Sequence, residues 1–131
     1  MKYERYDYEG IGFNKVFSFN NWSLCFLNYI DELKQDNLKY VEAHHETDEV
    51  FVLLRGKATL LLASNKDNKL YFEKIKLIPN KIYVVKKDTY HTVILNKKAK
   101  ILLVEEKNTS DDNTTKIYLS KDDINTITEL K

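Results

Sequence analysis

Cysteine occurs once, at Cys25, proline once, at Pro79, and glycine three times in 131 residues. A lone cysteine excludes an intrachain disulfide and any cysteine-rich zinc motif. Within its apolar run, Cys25 reads as a small buried side chain rather than a nucleophile. Neither sign of charge is in excess, since 21 Lys and Arg against 20 Asp and Glu leave a net charge of +1. A nucleic-acid partner would call for a basic surplus gathered into a stripe. The lysines are instead scattered, as in Lys86-Lys87 and Lys97-Lys98. No apolar run approaches the ~20 residues of a membrane-spanning helix. The polar start Met1-Lys2-Tyr3-Glu4-Arg5 also lacks the apolar stretch of a secretory leader. The expected setting is the cytoplasm, with neither nucleic acid nor membrane as partner.

What is present describes an ordinary globular chain: 43% hydrophobic and 31% charged residues. The length suits one domain spanning 1–131 with a real core. Strand-like segments dominate. Lys15–Phe19 and Trp22–Ile30 are rich in the aromatic and branched side chains that favour a pleated surface. The polar stretch Asp31–Asn37 reads as a connection with a helical turn. Leu38–His45, Glu49–Arg55, Lys57–Ala63, Lys69–Leu77, Ile82–Val85, Thr89–Leu95 and Lys100–Glu105 continue the series. Turn residues separate them: Gly56, the run Ser64–Asn68, Pro79-Asn80, and Asn96-Lys97-Lys98. Many short strands at this spacing predict a sandwich or barrel. After a polar linker over Lys107–Thr115 comes a short strand, Ile117–Leu119. Ser120 and Asp123 then form a capping box before Ile124, Ile127 and Leu130 at helical spacing, which predicts a short C-terminal helix.

Histidine is scarce. His44 and His45 are adjacent in Ala43-His44-His45-Glu46-Thr47-Asp48-Glu49, and His91 begins a later apolar strand. A divalent-metal site needs neutral imidazoles and carboxylates converging from distant strands. Residues two apart on a strand share a face, so Glu42 and His44 point one way and His45 the other. Spacing alone favours ordinary strand histidines over ligands; the surrounding residues change that balance.

The segment from Glu42 to Gly56 resembles the first motif of the cupin superfamily, G-x5-H-x-H-x(3,4)-E-x6-G. His44, Glu49 and Gly56 fall at its second histidine, its glutamate and its closing glycine. The second cupin motif, G-x5-P-x-G-x2-H-x3-N, is kept at His91, while Asn80 and Asp88 stand at its glycines, Lys86 at its proline and Leu95 at its asparagine. Asn and Asp are the residues that best replace glycine in left-handed backbone. The resemblance covers about 38–105 and implies an all-β fold, a double-stranded β-helix or jelly-roll barrel with the short C-terminal helix appended.

It also implies a metal site at His44, Glu49 and His91, with Glu42 in the place of the first family histidine. In the other register His45 takes the ligand position and Ala43, which cannot ligate, the first one. The four-residue interval between His44 and Glu49 favours the former. Two imidazoles and two carboxylates suit zinc, manganese or iron(II). The resemblance leaves the reaction open, since cupins include isomerases, epimerases, dioxygenases, decarboxylases and lyases. The function expected is binding or conversion of a small polar molecule, a sugar or carboxylate, with Glu42 the candidate base if it does not ligate. The alternatives are a metal-free cupin that only binds a small ligand, or an interaction protein with a vestigial pocket. Runs apolar on both faces, such as Val50–Leu54 and Leu60–Leu62, together with the aromatic N-terminal segment, predict a homodimer.

Overall fold

Five non-glycine residues take positive φ, and each sits at a turn: Asn20, Asp67, Asn68, Asn80 and Asp88. Consecutive positive angles at Asp67 and Asn68 match the twist of a two-residue hairpin. Gly56 (φ 75°) turns where a Cβ would lie 2.5 Å from the Ala99 backbone, so no larger residue fits without moving that segment. Asn80 and Asp88, at the positions of the second motif's glycines, do adopt the left-handed backbone (φ 65° and 66°).

These turns join ten strands in a computed structural model describing residues 1–131. They are β1 (Phe13–Phe19), β2 (Trp22–Asn28), β3 (Tyr40–His44), β4 (Glu49–Arg55), β5 (Ala58–Lys66), β6 (Lys69–Lys76), β7 (Ile82–Val85), β8 (Tyr90–Leu95), β9 (Lys100–Glu106) and β10 (Thr114–Tyr118). One helix, α1 (Lys121–Glu129), follows, with Ser120 and Asp123 forming the expected capping box. The expected linker ends early, because Thr114 and Thr115 already pair with β3. The strands form two five-stranded antiparallel sheets, ordered β1-β2-β9-β4-β7 and β10-β3-β8-β5-β6. This is a jelly roll.

Between the sheets lies the main core, where Cys25, Leu27, Phe51, Leu53, Leu60, Val93, Leu95, Ile101 and Leu103 are buried. Strand alternation turns their neighbours outward. On the second sheet those neighbours are covered: Ile127 of α1 is fully buried with Leu38, Val41, Leu61 and Ala63. The outer face of the first sheet has no such cover. Register places Val84, Val50, Val104, Leu24 and Phe17 in one row across all five strands, and Ile82, Val52, Leu102 and Phe26 in the next. Neither row contains a charge. Residues 6–9 cross part of this face: Tyr6 packs on Phe17 (ring centroids 5.7 Å apart), Asp7 pairs with buried Lys100, and Glu9 pairs with Arg55 at 2.5 Å.

Candidate metal centre

The inward phase of each strand delivers the candidate residues. On β3, Glu42 and His44 face the interior two residues apart, and Glu42 lies opposite His91 of β8 in the ladder. Glu49 opens β4, where its partner strand β7 places the core residue Val85 opposite. His44, Glu49 and His91 are 7, 6 and 4% exposed. They line a cavity of about 600 Å³ that Glu42 and Glu105 also border. His45 faces out: its Nδ1 lies 2.8 Å from Asp88 Oδ1 and its Nε2 2.6 Å from Thr115 Oγ1. Those contacts tie the β3 end to β10 and to the turn before β8.

Both imidazoles converge on one carboxylate oxygen. Glu49 Oε1 is 3.1 Å from His44 Nε2 and 2.9 Å from His91 Nε2, and Glu42 Oε1 is 3.7 Å from His44 Nε2. Burial alone would raise the Glu49 pKa, but hydrogen bonds and charge from the two histidines outweigh it and hold the group at about 2. Burial pushes the His44 pKa down, while the Glu49 hydrogen bond and the Glu49 and Glu42 charges more than reverse this, leaving it raised. Glu42 is raised chiefly by burial, with His44 and His91 offsetting part of the effect.

The opposite nitrogens are secured. His91 Nδ1 is 2.9 Å from the Thr89 carbonyl oxygen, which only accepts, so Nδ1 is the protonated nitrogen. When Nε2 is protonated it donates to Glu49; when it is not, its lone pair points at the same spot as Glu49 Oε1, the arrangement that an ion between them uses. His44 Nδ1 is likewise held, 2.9 Å from Thr114 Oγ1. Two imidazole Nε2 atoms and a carboxylate directed at one point, their ligand atoms within 4.8 Å of one another, form a set that a divalent cation fits once both nitrogens are unprotonated.

Among solved structures similar to this chain is a cupin-2 domain protein from Shewanella frigidimarina, 19% identical over 76% of this chain and 85% of that one (TM-score 0.54). The fold is that of the cupins. A second cupin-fold neighbour is Pac13 of Streptomyces, a nucleoside dehydratase, 11% identical over 91% of this chain and 88% of that one (TM-score 0.62). A third is HppE in its Fe(II) form, 15% identical over 65% of this chain and 42% of that one (TM-score 0.51). No protein-family model and no curated protein matches the chain.

The barrel brings in one residue that the sequence reading passed over. Glu105 follows Ile101 and Leu103 in the inward phase of β9, a carboxylate at the core-facing end of an apolar strand. That phase was the available signal. Burial, then the neighbouring Glu49 charge, raise its pKa to about 7. The folded chain therefore holds the Glu105 proton more tightly than the unfolded one. No penalty exists below the ordinary value near 4.5, and it grows to its full size above pH 7. In chelator, Glu105→Gln is expected to stabilise the protein by about 1 kcal/mol at pH 8, after allowing for the solvent that reaches the group, and to change little at pH 4.5. Thermal melts at the two pH values check this, with a rise of roughly 4 °C expected only at the higher one.

Proposed function

We propose that the chain is a single cupin-type domain over 1–131 whose barrel holds a divalent metal at His44, Glu49 and His91 and binds or converts a small polar molecule. The observation that carries this reading is the meeting of two secured imidazoles and one buried carboxylate at a single point of the cavity wall. Glu42 is the fourth ligand or the adjacent base. When bound, such an ion supplies Lewis-acid polarisation of a ligand oxygen. The protein's own part is to orient the imidazoles through Thr114 and Thr89 and to keep Glu49 ionised. Zinc, manganese and iron(II) all suit the set, and the Fe(II) form of HppE shares the fold. The reading is tested by the metal content of protein purified without added metal: one equivalent per chain supports it, and no transition metal at all removes it.

A second reading, a metal-free barrel that binds a small ligand, draws on the hydrogen-bond distances from Glu49 Oε1 to both Nε2 atoms: with those nitrogens protonated, Glu49 accepts from both with no ion between them. The cytoplasm remains the proposed location, consistent with a single, buried cysteine. We also propose that the protein is a homodimer joined through the uncovered outer face of the first sheet. Four of its five strands are seven residues long and β7 is four; at ~4.8 Å between strands the face measures roughly 20 Å on a side. That is about half of the roughly 800 Å² each partner buries in a standard interface. With no charge in either row, the face meets a second copy of itself without opposing like charges.

A further inference from the structure

Resting on the reading of this barrel as a ligand cavity, we infer that it takes a neutral, hydroxyl-rich molecule of sugar size and rejects carboxylates and phosphates. The inner wall carries Glu42, Glu49 and Glu105, and Glu32 and Asp111 stand nearer the mouth. The only ammonium among the lining residues is Lys39, which is exposed. Nearby Lys116 is already engaged, 3.4 Å from Asp111 and 4.5 Å from the Tyr40 ring. With Glu42 as the fourth ligand, a divalent ion at the triad is balanced by Glu42 and Glu49, and Glu105 beside them adds no positive charge in either protonation state, so even the loaded site has no positive surplus for an anion. At an effective dielectric of about 20, one uncompensated carboxylate about 6 Å away lowers the affinity for an anion roughly 100-fold. Solvent screening reduces this toward tenfold.

Hydrogen-bonding capacity points the same way. Ionised carboxylates only accept, and Glu105 when protonated adds a single donor, so the inner wall chiefly asks its ligand for donors, which hydroxyl groups supply and carboxylates and phosphates do not. Phe13, Leu33, Leu38 and Phe51 line the same cavity and add apolar surface suited to the C–H face of a ring. A volume of about 600 Å³ accommodates a mono- or disaccharide-sized molecule. This narrows the sugar-or-carboxylate expectation to its neutral half.

The test is calorimetric titration, on protein of measured metal content, with matched pairs: glucose and glucuronate, galactose and galacturonate, ribose and ribose 5-phosphate. At least one neutral member is expected to bind, ten- to a hundredfold tighter than its anionic partner. The gap should shrink in Glu105→Gln and again in Glu32→Lys. An anionic member binding as tightly as its neutral partner overturns the inference, as does a failure of every neutral member to bind. A gap unchanged in both variants overturns charge as its cause. Metal content separates this outcome from that of the metal centre. A neutral preference in metal-free protein keeps this inference and removes the metal, and stoichiometric metal with an anionic preference does the reverse.

Discussion

His91→Ala is expected to weaken zinc or manganese binding by roughly 100-fold or more, whereas His45→Ala changes it less than about twofold. His91 is held from behind by the Thr89 carbonyl and directs Nε2 at the point where Glu49 and His44 meet. Its loss removes one of three converging donors and leaves Glu49 with a single imidazole partner. His45 makes its hydrogen bonds on the other side of β3, to Asp88 and Thr115, and its removal affects only the surface. Thr114→Val is an intermediate case, about tenfold, because it frees the back of the His44 ring without removing a donor. Competition with a metal-sensitive chelator gives all three affinities. Equal metal binding by the His91 and His45 variants would eliminate the proposed centre.

Val50→Lys is expected to turn a dimer into a monomer. Val50 sits in the middle of the row formed with Val84, Val104, Leu24 and Phe17, so a twofold interface through this face contains each lesion twice. An unpaired ammonium there costs several kcal/mol per copy, enough to raise the dimer Kd more than 1000-fold. The monomer tolerates the change, because Val50 is only half-buried and a lysine stem lies along apolar surface while its head reaches water. Light scattering at micromolar concentration, with circular dichroism to show that the strands persist, reads the result. A monomeric wild type would rule out this role for the face.

Much of the barrel was legible in the sequence because its turns are chemically distinctive. Gly56, Asp67-Asn68, Asn80 and Asp88 all mark sites where the backbone goes left-handed, and the strands between them alternate or run apolar as burial requires. The positions of Glu42, His44 and His45 followed from the two-residue period of one strand. Glu105 was missed because it lies at the end of a strand, beside Glu106, where two acids look like a solvated terminus. Thr114 carried no local signal, since its role exists only through pairing with a strand 70 residues earlier. The outer-face rows were visible as apolar runs, but which face lacked cover depended on where α1 docks.

The seating of β3 has a consequence for how the protein is made. β3 contributes two of the four residues of the centre, yet a single ladder pair joins it to β8, while five join it to β10. During synthesis, residues 40–44 leave the ribosome long before residues 114–118 exist to hold them. Most of the barrel can pack while this edge, and with it half of the site, still waits for the last strand. The centre is thus completed only once residues 114–118 have emerged, and a chain halted before Thr114 would carry His44 on an unsecured edge.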